Sequence, residues 1–154
     1  MQISTFDPRN KSFCFRMDGY KCFFRKTGKC SLELTKSETE QYIKKENEER
    51  KFVIDEDSHW YYPKNSVKYC QLLRDDILQN GVKREIIVFS NSCGHYSFDA
   101  GQHRSCIGKR SNISSIPVEQ HGDNESLCSH CSSMKSSLRY RIQALFRKSF
   151  WFIG

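Results

Sequence analysis

Between Ser66 and Glu119 the hydrophobic pattern switches repeatedly between helical and extended periods. Ser66 heads a run with Val67, Cys70, Leu72, Leu73, Ile77 and Leu78 at helical intervals, and Asn80-Gly81 stops it. Ile86–Phe89 reads as a short apolar strand, Ser90–Gly94 as a turn, and His95–Asp99 alternates as a half-buried strand does. Gly101 breaks that strand. Gln102–Lys109 is long enough for a short helix, and Ile116-Pro117-Val118 forms a final strand. A chain that interleaves both periods so closely is of the α+β class.

The flanks are simpler. Ser12–Met17 and Tyr20–Lys26 surround Asp18-Gly19, which predicts an N-terminal β-hairpin. Leu32–Leu34 reads as extended. Thr35 or Ser37 caps a polar helix from about Glu38 to Arg50, with only a narrow stripe around Tyr42 and Ile43 to pack. Lys51–Ile54 and Trp60-Tyr61-Tyr62 read as extended. Residues 120–136 read as a Cys-rich loop, and Leu138–Phe152 as a basic, aromatic amphipathic helix. The expected division is an extension over 1–50, a core over 51–119 and a tail over 120–154.

At 154 residues the chain is expected to form one compact domain, or one domain with appendages. The 11 Phe, 7 Tyr and 2 Trp supply a core despite a mean hydropathy of −0.71. No stretch approaches the roughly 18 apolar residues of a spanning helix. MQISTFDPRN lacks the apolar centre of a signal peptide, so a cytoplasmic protein is expected. The net charge of +7 lies mostly on the two flanks and favours polyanionic partners, although it serves solubility equally well.

The chemistry concentrates at Gly101-Gln102-His103-Arg104. A glycine after a strand permits a sharp turn and a close backbone approach. The helix that follows presents unpaired N–H groups and its positive dipole end, which together attract anions. His103 and Arg104 add side-chain donors, and a guanidinium grips phosphate through paired hydrogen bonds. The pattern points to a phosphate site.

The order Asn80-Gly81-Val82, Ile86-Ile87-Val88-Phe89, Tyr96-Ser97-Phe98-Asp99, Gly101-Gln102-His103-Arg104 and Ile116-Pro117-Val118 resembles the ParB/sulfiredoxin superfamily. The box also looks like that of DGQHR-domain proteins, with Ala100 inserted after Asp99. The resemblance implies a small mixed sheet with flanking helices. It also implies a nucleotide, ATP or another with Mg²⁺, or a phosphorylated small molecule at Gly101, Gln102, His103 and Arg104. Sulfiredoxins carry a cysteine where Gln102 stands, which excludes their sulfinic-acid chemistry. The 35 residues after Glu119 are too few for the helix-turn-helix region of ParB proteins. Kinase-like members place a carboxylate before the box, so phosphotransfer would use Asp99, with His103 on the phosphates. Glu56, in the Asp55-Glu56-Asp57 run, is a second catalytic candidate. A nucleic-acid binding or cleaving module, and a non-catalytic scaffold with a vestigial pocket, are the alternatives.

Eight cysteines without a secretion signal favour metal ligation or reduced thiols over disulfides. Cys128-Ser129-His130-Cys131 has knuckle spacing, half of a structural Zn²⁺ site. The preferred completion is Cys93 with one of His95, Cys106 or His121. Cys14, Cys22 and Cys30 are the competing source. The aromatic C-terminal helix invites self-association, and packing on the sheet is its other fate.

Overall fold

The computed structural model describes residues 3–49 and 62–137. Glu56 with its acidic neighbours, the strand expected at Lys51–Ile54, Trp60-Tyr61 and the helix expected at Leu138–Phe152 lie outside the described residues.

The architecture is α+β, with a four-stranded mixed sheet in the order β1-β4-β2-β3. The strands are β1 (Ile3–Phe6), β2 (Ile86–Asn91), β3 (Tyr96–Ala100) and β4 (Ile116–Asn124). β2 and β3 form an antiparallel hairpin, β4 runs parallel to β2, and β1 pairs antiparallel on the outer side of β4. A parallel neighbour requires a crossover. Helix α4 (Gln102–Arg110) supplies it between β3 and β4. The other helices are α1 (Phe23–Thr27), α2 (Lys36–Glu49), α3 (Val67–Asn80) and α5 (Ser129–Ser136). Among the described residues no helix is long and apolar enough to cross a membrane.

Two apolar clusters hold these layers together. Ile86 and Val88 of β2 meet Ile116 and Val118 of β4 in a core that excludes water almost completely. Leu73 and Ile77 of α3 meet Ile107 of α4, and Val82 and Ile113 touch both clusters. Each fully buried aliphatic side chain contributes about 1.5–3 kcal/mol by leaving water. The sheet and the α3/α4 pair therefore fix the β3–α4 junction.

Helix α2 starts at Thr35 with a reciprocal cap. Thr35 Oγ1 accepts the Glu38 N–H at 3.2 Å, and Glu38 Oε2 accepts the Thr35 N–H at 2.9 Å. Glu46, buried one helical face along, accepts the Val67 N–H at 3.1 Å. It thereby joins α2 to the first turn of α3, which Ser66 also caps through the Tyr69 N–H.

Three expectations fail. The N-terminal β-hairpin is absent: Asp18 Oδ1 accepts the N–H groups of Tyr20 and Lys21 at 3.0 and 3.1 Å, and that turn feeds α1 instead of a second strand. Phe23 then buries edge-on against Tyr42 of α2, with ring centroids 4.9 Å apart. Residues 31–33 form a 3₁₀ turn rather than an extended piece. Residues 120–136 are not all loop, because β4 continues to Asn124 and α5 follows. The stretch from Gln120 to Asn124 pairs in parallel with β2, and a paired ladder sustains strand where side-chain preference is poor. The segment from Ser12 to Met17 is extended as expected, but it runs beside the edge of β3, where the Cys14 N–H donates to the Tyr96 carbonyl at 2.8 Å and the Tyr96 N–H to that of Ser12 at 2.8 Å. Phe13 and Phe15 stack on Phe98 at 5.1 and 5.3 Å, while Cys14 and Arg16 point the other way, toward Ser129.

Candidate phosphate cavity and metal centre

Gly101 has φ +94° at the junction of β3 and α4. A Cβ there would lie 2.4 Å from Ile86 Cγ2, inside the sheet. The glycine is thus demanded by a left-handed turn pressed on β2, and the close approach is to Ile86 rather than to a ligand. Ser105 N–H is the donor to the Gly101 carbonyl, so the N–H groups of Gln102, His103 and Arg104 precede the helical ladder.

This end of α4 opens on a cavity of about 530 Å³. Gly101, Gln102, His103, Arg104 and Asp99 all line it. So do four cations remote in sequence or outside the box, Lys21, Lys64, Lys83 and Arg84. Asp99 and Asp76 are the carboxylates among the described lining residues, and Asp76 pairs with Lys83 at 3.1 Å. Sequence reasoning missed these cations. Lys83 and Arg84 follow directly on the Gly81 turn, but nothing local marks Lys21 or Lys64.

The box residues divide their work. Arg104 Nη1 donates to the carbonyls of Arg84 and Glu85, the latter at 3.0 Å, and so ties the approach to β2 beside the cavity. Burial lowers its pKa from the usual guanidinium value. Gln102 Oε1 accepts the Arg16 N–H at 2.6 Å and serves as a strut. His103 Nδ1 lies 3.3 Å from Cys70 Sγ, and the ring stands edge-on to Tyr69 at 5.1 Å. Its Nε2 is buried and has no hydrogen-bond partner among the described residues. Burial pushes the imidazole pKa down to about 4, so it is neutral at pH 7.

At the far end of the β2–β3 hairpin stands a second cluster. Cys93 and His95 come from the turn, where Asn91 Nδ2 donates to the His95 carbonyl at 2.7 Å and to Ser97 Oγ at 2.8 Å. Ser92 N–H donates to the Ser126 carbonyl at 3.2 Å and docks the incoming chain, which brings Cys128 and Cys131 at the start of α5. The four ligand atoms of Cys93, His95, Cys128 and Cys131 lie within 4.8 Å of one another. His95 Nδ1 is 3.4 Å from the sulfurs of Cys93 and Cys131 and 3.8 Å from that of Cys128.

Three thiols and one imidazole around one point fit a closed tetrahedral site and can hold a metal ion such as zinc. The Cys128 N–H donates to Cys93 Sγ at 3.4 Å, and this contact leads in holding the Cys93 thiol well below its ordinary value. Burial pushes Cys128 the other way. Of the three fourth ligands weighed, the fold delivers His95. His121 Nε2 instead meets Glu119 Oε1 at 2.7 Å, and Cys106 faces elsewhere from α4. Cys14 lies behind the knuckle, 3.4 Å from Ser129 Oγ.

No protein-family model and no curated protein sequence matches this chain.

Proposed function

We propose that the cavity at the start of α4 binds a nucleotide or another phosphorylated small molecule. The observation that carries this reading is the convergence of five cationic side chains with the leading amides of α4 on one cavity. Arg and Lys donors beside a helix N-terminus, partly shielded from water, suit two or more phosphate groups. Asp99, exposed on the rim, is placed to hold a divalent ion or accept a hydroxyl proton if transfer follows binding. The succession α3, Gly81 turn, β2, β3, Gly101 box, α4 and β4 supports a ParB/sulfiredoxin-like fold as the frame. In this reading zinc occupies the Cys93, His95, Cys128 and Cys131 cluster structurally, since all four positions are protein ligands.

The test is a thermal-shift series with ATP, ADP and inorganic polyphosphate, with and without Mg²⁺. A ligand at 100 times its dissociation constant adds about 2.7 kcal/mol to stability, and the double variant Lys83→Ala/Arg84→Ala should abolish that gain. If no phosphorylated small molecule shifts the melt while duplex or single-stranded nucleic acid is retained with a steep salt dependence, the reading is wrong and the nucleic-acid alternative replaces it.

A further inference from the structure

Cys22, Cys30, Cys70 and Cys106 come from three separate regions of the chain: the ends of the α1 segment, α3 and α4. All four line one cavity of about 410 Å³. Met17 and His103 belong to the same wall, and no carboxylate stands among its described lining residues. Half of the chain's cysteines are thus gathered away from the knuckle, in a chamber otherwise walled by groups such as Phe23, Leu32 and Ile107.

We propose that this chamber is a second metal site, selective for a soft monovalent d¹⁰ cation such as Cu⁺. Thiols, a thioether and an imidazole form a donor set that soft cations prefer, and a hard cation finds no carboxylate among the described lining residues. Among the described residues only the knuckle cluster closes three or more donors within 4.8 Å. The chamber therefore lacks a preformed tetrahedral cage for zinc, while a cuprous ion needs only two sulfurs.

Electrostatics agree with the donor chemistry. Burial, reinforced by the thiols of Cys106, Cys22 and Cys30, pushes Cys70 up to about 12, and burial also raises Cys106. Cys70 and Cys106 are thus held as neutral thiols until a cation displaces their protons. A two-thiolate cuprous complex is anionic. Arg25 and Arg110 at the same cavity supply balancing charge, with Arg110 facing Cys106 and Cys30 as well as its partner Glu33. Each ligating thiol releases one proton to solvent, and no electron is transferred.

The experiment uses the full chain loaded with zinc. Cu⁺ is delivered anaerobically from its bicinchoninate complex, with Ag⁺ as an air-stable parallel. Bound metals are counted by elemental analysis, and free thiols are mapped by N-ethylmaleimide labelling and peptide mass spectrometry. The expected result is one added Cu⁺ per chain with zinc unchanged, and slowed labelling of Cys22, Cys30, Cys70 and Cys106. A Cys22→Ser/Cys30→Ser variant should lose the added copper and keep its zinc. Copper that expels zinc from the knuckle, unchanged labelling of the four thiols, or a second zinc in their place would each overturn the assignment. The labelling comparison needs only the unmodified chain, so a poorly folded variant does not obscure it.

Discussion

The main-chain N–H of Arg16 donates to Gln102 Oε1 at 2.6 Å. The same arginine reaches Ser129 Oγ through Nε at 3.0 Å, so one residue ties the start of α4 to the knuckle helix. Gln102→Ala removes the acceptor and should cost about 1 kcal/mol in urea unfolding, the ordinary net value of such a bond. Gln102→Glu keeps an acceptor and should lie close to the parent. Equal losses for both variants would show that Gln102 contributes by packing instead.

Gly101→Ala should be the most damaging small substitution in the box. A φ of +94° strains any L side chain, and the new methyl would overlap Ile86 Cγ2 and Cβ. Backbone strain of about 1–3 kcal/mol and overpacking of about 1–3 kcal/mol act together. Adding Ile86→Ala relieves only the Cγ2 part of the overlap, because the Cβ at 2.7 Å remains. The double variant should therefore unfold at a higher urea concentration than simple addition of the two single effects predicts.

Removing metal should loosen the β2–β3 turn and α5 together, because the cluster joins them. Zinc at 100 times its dissociation constant contributes about 2.7 kcal/mol, which corresponds to a fall in Tm of roughly 5–10 °C for a chain of this size when it is chelated. Cys131→Ser should reproduce that fall and abolish the response to chelator. A melt indifferent to both would show that the cluster is a set of reduced thiols.

Acid should destabilise the protein through His103. Burial, which outweighs the neighbouring Lys21 backbone, lowers its folded pKa to about 4 from an ordinary 6.5. The neutral ring's contribution is complete above pH 6.5 and is lost as pH falls through 4. The loss is roughly 3 kcal/mol at 1.36 kcal/mol per unit. Urea midpoints across that range should slope for the parent and flatten for His103→Gln. A parent with no slope in that window would refute it.

Helix α3, the β2–β3 pair, α4 and the glycine between them were legible because each carries its own periodicity or turn residue. The Thr35 cap of α2 was legible for the same reason. The Asp18-Gly19 signal misled because Asp18 spends its side chain on a helical turn and Phe23 finds Tyr42 across α2. Strand β1 depends on pairing between residues such as Phe6 and Ile116, more than a hundred positions apart, and the length of β4 on pairs such as Asn91 with Asn124. Spacing alone identified Cys128 and Cys131 as half a site, and left His95, Cys106 and His121 as equal candidates.

Local sequence determined where the chain turns, which segments are helical in the core, and that donors suited to an anion begin α4. Only the tertiary structure decided that Lys21 and Lys64 join Arg104 around one cavity, that His95 completes the knuckle, and that Cys22 and Cys30 belong with Cys70 and Cys106. Caps and periods act within a few residues. The convergence of charges and thiols follows from which surfaces of the sheet and helices exclude water against one another, a property of the assembled chain.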